Sequence, residues 1–206
     1  MKISSYAPRV LVACEYSGRV RDAFTNAGCV ALSCDLLTTE TPGRHYRGDV
    51  RDVLYQGWDL LIAHPPCTYL AASGMHWTTR GLRDPQLTED ALTFVHLLLD
   101  APIPYIALEN PIGAINTRIR KPEQTIHPWQ FGEDASKATC LWLKGLPPMQ
   151  PTQMVEPRYV CCGLELPDGV GLYGCPNCCG DKGKARPRWG RSEERRVGKE
   201  CLRLCR

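Results

Sequence analysis

The chain has no apolar run long enough to cross a membrane, and its first residues, Met1 to Ser5, lack the apolar core of a signal peptide. It also has little net charge, since its 206 residues carry a formal charge of only +3. With 43% hydrophobic residues it can build the core of one α/β domain, but it is short for two full domains. We therefore expect a cytoplasmic protein without a membrane partner.

The small positive charge comes from the end of the chain. Residues 191–206 carry six Lys or Arg and three Glu, which equals the charge of the whole chain and leaves the body neutral. The run from Arg191 to Cys201 resembles the conceptual translation of a sequencing adapter. A natural basic tail is the alternative, since short charged runs occur in natural proteins. We expect residues 191–206 to be non-native and the natural carboxyl end to be missing.

Glycine is scarce where a dinucleotide-binding protein needs it. Only Gly18 lies between the first predicted strand and the following helix, whereas a dinucleotide fingerprint has three glycines there. No P-loop lysine follows it either. Pyrophosphate binding is therefore poorly supported, and a nicotinamide-dependent oxidoreductase is disfavoured. A cofactor that has a ribose but no phosphate fits this turn better.

Apolar runs of strand length alternate with helical patterns over the first half of the chain. The predicted strands are 10–14, 30–34, 58–63 and 105–108, and the predicted helices are 20–27 and 91–99. Repeated strand-loop-helix units predict an α/β fold with a mostly parallel, Rossmann-like sheet and helices on both faces.

The first of these units has the features of a nucleoside-binding turn. Gly18 permits a tight turn beneath a ligand, the helix would offer unpaired N–H groups, and Asp35 would accept hydrogen bonds from two ribose hydroxyls. An ordinary strand-helix-strand turn with a solvated aspartate is the alternative. The order of these features predicts a cofactor that contains a nucleoside.

The tripeptide Pro65-Pro66-Cys67 follows directly on a predicted buried strand. Two prolines fix two φ angles and remove two backbone donors, so the next side chain is held at the edge of the sheet. Ligands of open α/β sheets bind at the carboxyl ends of the strands, and a thiol placed there suits a nucleophile. A buried cysteine after a proline turn is the alternative.

The order of these segments resembles the cytosine-C5 DNA methyltransferase family. The resemblance covers residues 9 to about 145, and its most specific parts are the proline-flanked cysteine and the Glu-Asn pair. Its segments are 13–18, Asp35, 48–50, 65–67 and 109–111. It implies a class I methyltransferase domain, here over residues 1–150, that uses S-adenosylmethionine to methylate C5 of cytosine in DNA.

The resemblance also implies roles for single residues. Cys67 would attack C6 of the pyrimidine, Glu109 would hold N3, and Lys137 lies where the family carries a basic residue that reaches the base or its phosphate. Asn110 is expected to tie the two loops together by a hydrogen bond from its side chain to the backbone. A turn or helix-capping carboxylate is the alternative for Glu109. His64 is expected to be a packed or capping histidine, with a general base as the alternative.

The cofactor side of the site follows in the same way. Asp49 would accept a hydrogen bond from the adenine amino group, with a turn aspartate as the alternative. The chemistry agrees with the catalytic pair, because C5 of cytosine needs a thiolate at C6 and an acid at N3 before it becomes nucleophilic. The predicted cofactor-binding residues are Glu15, Ser17, Gly18, Asp35, Asp49 and Pro65.

Residues 151–190 depart from the family, because no target-recognition region is recognisable there. Instead the segment is rich in cysteine and contains Cys175-Pro176-Asn177-Cys178, which has the form of a zinc knuckle. A structural zinc site is expected, with a cluster of free thiols as the alternative. Its candidate ligands are Cys161, Cys162, Cys175, Cys178 and Cys179.

Two other functions stay open at this point. The neutral body and the missing recognition region are compatible with the same chemistry on a free pyrimidine nucleotide. The basic run 181–189 and the cysteines are compatible with a non-catalytic, zinc-containing nucleic-acid-binding protein.

Overall fold

The computed structural model describes residues 6–135 and 137–156, together with the backbone of 159–161, 164–165 and 186–187. The chain divides into two compact units. The first consists of Met1–Gln124 and Cys140–Pro148, and the second of Thr125–Thr139 and Met149–Arg206. The unit boundaries therefore place the residues around Trp129 and Lys137 with the cysteine-rich segment.

Strands and helices alternate as the apolar pattern predicts. In chain order they are β1 (Arg9–Ala13), α1 (Arg19–Asn26), β2 (Val30–Asp35), β3 (His45–Arg47), β4 (Leu60–Ala63), α2 (Ala72–Thr79), α3 (Gln86–Leu99), β5 (Tyr105–Pro111), α4 (Ala114–Arg118), β6 (Gln124–Ile126) and β7 (Thr139–Lys144). Short 3-10 helices lie at Val50–Asp52 and Pro128–Gln130.

Seven strands form one sheet in the order β3-β2-β1-β4-β5-β7-β6. β1 pairs in parallel with β2 and β4, β2 with β3, and β4 with β5. The prediction of a mostly parallel, Rossmann-like sheet is therefore confirmed. The strand order reverses between β1 and β4, which in open α/β sheets is the point where ligands bind.

Side-chain alternation along β1 separates two apolar layers. Leu11 and Ala13 belong to the larger core cluster, which includes Val95 and Leu98 of α3. Val10 and Val12 belong to a second cluster, against which Phe24 of α1 packs. Because neighbouring residues of a strand point to opposite faces, these clusters place helices on both faces of the sheet, as predicted.

Most element boundaries lie within two residues of the sequence prediction, and two differ by more. α3 begins at Gln86, five residues before the predicted helix; Leu87 is the only apolar residue before Ala91, so the sequence pattern misses the first turn. β5 continues to Pro111, so Glu109 and Asn110 lie within the strand and not after it. Glu109 and Asn110 thus take their positions directly from the sheet.

A further three-stranded antiparallel sheet belongs to the second unit. Its strands are β8 (Tyr159–Cys161), β9 (Leu164–Glu165) and β10 (Arg186–Pro187), in the order β10-β8-β9. Elsewhere in this unit the ring of His127 stacks on that of Trp129, with the ring centroids 5.6 Å apart. Across the described residues of both units, no helix combines the length and hydropathy of a membrane span.

Candidate functional site

Three loops contact the ends of β1 and β2 at the carboxyl edge of the first unit's strands. The backbone N–H of His64, after β4, donates to the carbonyl of Ala13 at 3.0 Å, and that of Glu15, after β1, donates to the carbonyl of Cys34 at 3.1 Å. Gly48, after β3, donates to the carbonyl of Asp35 at 2.9 Å. These bonds fix the strand ends on both sides of the point where the strand order reverses.

Glu15 closes the amino terminus of α1. Its side chain is 6% exposed and accepts hydrogen bonds from the N–H groups of Val20 at 2.7 Å and Arg21 at 3.2 Å. The Ser17 hydroxyl donates to the same carboxylate at 3.0 Å and accepts from the N–H of Arg19 at 3.3 Å. The expectation of unpaired N–H groups at this helix was therefore wrong, because a buried carboxylate occupies the donors that a phosphate would need.

Position 18 requires glycine because of close packing as well as backbone conformation. Its φ angle is +76°, and a Cβ there would lie 2.2 Å from the Thr41 hydroxyl and 2.5 Å from the Arg21 guanidinium. Arg21 is 1% exposed and donates to the side chains of Ser33, Thr39 and Thr41. Gly18 thus lets a loop close over α1, so the structure gives this predicted cofactor residue a structural role.

A cavity of about 250 Å³ opens beside this turn, at the ends of β1, β2 and β4. Among the predicted cofactor residues, Asp35 and Asp49 line it, whereas Glu15, Ser17, Gly18 and Pro65 are not lining residues. The other lining residues are Cys14, Cys34, Leu36, Gly48, Val50, Arg51, Pro66 and Phe94. The structure therefore brings two separate predicted residues into one cavity at the expected place in the sheet.

Asp35 is the carboxylate best placed to act within this cavity. Burial raises the pKa of Asp35 above its usual range, against the opposing effect of a hydrogen bond from the Leu37 N–H at 2.9 Å. A half-buried carboxylate gains further hydrogen bonds from a ligand that supplies hydroxyl groups.

The rest of the cavity lining combines charge with an aromatic ring. The Asp49 carboxylate accepts from the backbone N–H of Arg51 and from its guanidinium, each at 2.9 Å. The guanidinium lies 5.7 Å from the centre of the Phe94 ring. Because this ion pair is exposed, it contributes little to stability and yields readily to a ligand.

The cavity also contains a thiol that is unsuited to nucleophilic attack. Burial, together with the negative charges of Asp35, Asp49 and Asp52, raises the pKa of Cys34 to about 12. Cys34 donates to the carbonyl of Gly48 at 3.5 Å, whereas Cys67 is exposed. Exposure therefore distinguishes Cys67 from its buried neighbour.

The loop that carries Cys67 is fixed to β5. Asn110 is 1% exposed, and its amide donates to the carbonyl of Pro65 at 2.7 Å. The predicted side-chain bond between the two loops is therefore present. Cys67 follows Pro66, a residue of the cavity wall, so the candidate nucleophile lies next to the candidate cofactor site.

A second connection joins these loops further along. The N–H of Ala114 donates to the carbonyl of Leu70 at 2.7 Å, and the N–H of Ala72 donates to that of Ile112 at 3.0 Å. A Cβ on Gly113 would lie 1.9 Å from the Leu70 carbonyl oxygen. Only glycine fits this approach, which holds the Cys67 loop against the end of β5.

Glu109 contacts His64, which the sequence favours as a packed or capping residue. Nδ1 of His64 lies 3.3 Å from Oε2 of Glu109, and both side chains are about 30% exposed. The residues are 45 positions apart, so no sequence spacing signals the pair. The only local signal is the position of His64 directly before the two prolines.

The remaining predicted residues lie in the second unit. Lys137 is half-buried just before β7. Cys161 is described only as part of β8, and Cys162, Cys175, Cys178 and Cys179 fall outside the described residues. Within the part that is described, no three His, Cys, Asp or Glu side chains are grouped as a metal site would require.

No protein-family model matches this chain, and no curated protein matches it. Among solved structures, it is similar to a co-crystal structure of WbdD with the kinase inhibitor LY294002. That likeness has a TM-score of 0.39 and 11% sequence identity, and it covers 78% of this chain and 39% of that chain. A similarity at this level carries no functional argument.

Proposed function

We propose that this protein is an S-adenosylmethionine-dependent methyltransferase that acts on C5 of cytosine in DNA, with Cys67 as the nucleophile. One observation carries the proposal. An aspartate-lined cavity lies where the strand order reverses, and its wall continues through Pro66 into an exposed cysteine fixed to the strand that carries Glu109.

The donor set of the cavity fits a nucleoside with no phosphate. Asp35 accepts from ribose hydroxyls, Asp49 accepts from an exocyclic amino group, and Phe94 supplies an aromatic face. Glu15 already occupies the helix N–H groups that a phosphate would use. When bound, S-adenosylmethionine supplies an electrophilic methyl group.

Two residues, Cys67 and Glu109, supply the catalytic chemistry. The Cys67 thiolate adds to C6 of the base, and Glu109 gives a proton to N3 as negative charge moves into the ring. C5 becomes nucleophilic only after this addition. Asn110 and Gly113 hold the Cys67 loop against β5, which carries Glu109, so the attack geometry is set before the base arrives.

The segment after Cys67 supports a nucleic-acid substrate. Residues 68–83 contain Arg80, Arg83 and His76 but no carboxylate, although the body of the chain is neutral. α2, within this segment, has no buried residue, and its Trp77 is 48% exposed. Positive charge and an exposed aromatic ring suit a phosphate backbone and an unstacked base. A target base in duplex DNA must leave the stack to meet Cys67.

The proposal is tested with methyl-labelled S-adenosylmethionine and three acceptors, namely duplex DNA, single-stranded DNA and dCMP. We expect labelled 5-methylcytosine from DNA, detected by mass spectrometry after digestion to nucleosides. Product from dCMP alone would identify the free nucleotide as the substrate. Binding of DNA without product from any acceptor would favour the non-catalytic alternative.

Asp35→Asn should weaken S-adenosylmethionine binding by about 1.5 to 3 kcal/mol at pH 7, because an ionised acceptor is lost. Because burial raises the pKa of Asp35, the wild-type affinity for S-adenosylmethionine should begin to fall at a higher pH than it would with an exposed aspartate.

The raised pKa also affects folding. Asp35 stabilises the folded state at low pH, and this contribution is lost as the pH rises through the folded-state pKa. From pH 4 to 7, titration calorimetry checks the affinities and scanning calorimetry checks the folding stability. Asp52→Asn, a neighbour outside the cavity wall, is the matched control; equal affinity and pH dependence in all three proteins would move the cofactor elsewhere.

We also propose that the cysteine-rich segment holds one structural zinc ion. Thiols of the Cys-x-x-Cys form bind zinc as thiolates in closed sites. Elemental analysis should find about one zinc per chain, and alanine at Cys175 and Cys178 together should release it while Cys67 still reacts with a thiol reagent. Metal-free protein in which residues 158–182 resist proteolysis would defeat this proposal.

A further inference from the structure

The contact between His64 and Glu109 leaves one ring nitrogen without a partner. Nδ1 lies 3.3 Å from Oε2 of Glu109, whereas Nε2 is buried and has no hydrogen-bond partner. A neutral imidazole carries its proton on one of these two nitrogens. A buried N–H without an acceptor is rare and costly, whereas a buried lone pair is tolerated more readily.

We infer that His64 is a positioning residue for Glu109, holding its proton on Nδ1 and donating it to Oε2. This tautomer gives the only ring N–H a carboxyl acceptor and leaves a lone pair at the buried Nε2. Oε1 of Glu109 then remains available to the base. Glu15 does not compete for the imidazole, because its carboxylate already accepts from Ser17, Val20 and Arg21.

The role in catalysis rests on the proposed function. As the Cys67 sulfur bonds to C6, the electron pair of the C5–C6 double bond moves into the ring, and the proton on Oε1 of Glu109 passes to N3. Glu109 becomes a carboxylate in this step. The bond from His64 Nδ1 to Oε2 is then charge-assisted, so it is stronger in the transition state than before the attack. His64 itself neither gains nor loses a proton.

The tautomer is tested in the protein alone, without cofactor or DNA. Long-range ¹⁵N–¹³C correlation spectra separate the two neutral tautomers of histidine, and His64→Asn assigns the signal among the five histidines. We expect His64 to be protonated at Nδ1. A signal from the Nε2–H tautomer would overturn the inference, because Nδ1 would then be an acceptor.

The role is tested by single-turnover methyl transfer at high enzyme concentration. His64→Leu should slow transfer about 10- to 100-fold with its affinity for S-adenosylmethionine unchanged, and His64→Asn, which keeps an amide donor, should recover most of the loss. In a Glu109→Gln background no carboxylate forms, so His64→Leu should cost less than about twofold. His96→Leu, an exposed histidine on α3, is the matched control.

The outcomes separate this role from the proposed function. If the wild type is active and His64→Leu lowers the methyl-transfer rate by the same factor whether residue 109 is Glu or Gln, the positioning role alone is overturned. If His64→Leu does not fold, failure of His64→Asn to exceed one tenth of the wild-type rate overturns it. A wild-type protein that makes no 5-methylcytosine overturns the proposed function, and the role falls with it.

Discussion

Cys67→Ser should lower methyl transfer by about three orders of magnitude or more, the largest effect that we expect from any single substitution. A serine hydroxyl is almost entirely protonated near neutral pH, whereas a thiol supplies a thiolate that is intrinsically a strong nucleophile. The exposed position of Cys67 means that the change removes little packing. Transfer rates and calorimetric affinity for S-adenosylmethionine, measured on the same preparations, separate chemistry from folding.

The matched control is Cys29→Ser, at a half-buried cysteine on the α1 side of the sheet. It should keep the wild-type rate and affinity. A Cys67→Ser protein that turns over like the wild type would remove the covalent mechanism, since no other exposed thiol is present among the described residues.

Gly113→Ala should cause the second-largest loss. Its Cβ would lie 1.9 Å from the Leu70 carbonyl oxygen and 2.8 Å from Cα of Ala71, and both are backbone atoms that move only with the whole loop. The loop after β4 must shift away from β5, which costs about 1–3 kcal/mol of unfolding free energy. A displacement of about 1 Å at Cys67 should slow methyl transfer about 10²-fold.

Gly28→Ala is the control for Gly113→Ala. Gly28 lies between α1 and β2, where a Cβ meets nothing within 4 Å, although its φ of +86° imposes some strain. It should therefore cost stability at a distance from the site and leave the transfer rate unchanged. Denaturant unfolding and single-turnover rates measured on both variants check these expectations. Equal rates for Gly113→Ala and the wild type would show that close approach of the two loops does not position Cys67.

The sequence predicts four strands of the sheet, because each is marked by a local run of apolar residues. The apolar runs that contain Val12, Leu32, Ile62 and Ala107 all become parallel strands. β3 was not predicted, because His45–Arg47 has neither alternation nor a β-branched run and becomes a strand by pairing with β2. Its formation therefore depends on a neighbour that is distant in sequence.

The site is less predictable because its contacts join residues far apart in the chain. Asp35 was predicted from its position after a strand and Asp49 from the family resemblance, and the structure places both at one cavity. Arg21 is buried, although its charge would place it on the polar, solvent-facing side of α1. Glu15 as a helix cap and His64 beside Glu109 are visible only once the chain is folded.

Mapping of a trapped covalent adduct tests the central claim most directly. A DNA duplex that contains 5-fluorocytosine should stop the reaction after methyl transfer, because fluorine at C5 cannot leave as a proton does and the thioether at C6 persists. With S-adenosylmethionine present, we expect a stable protein–DNA adduct whose digestion gives a peptide modified at Cys67. An adduct at another residue, or none with a duplex in which unsubstituted cytosine is methylated, would contradict the account.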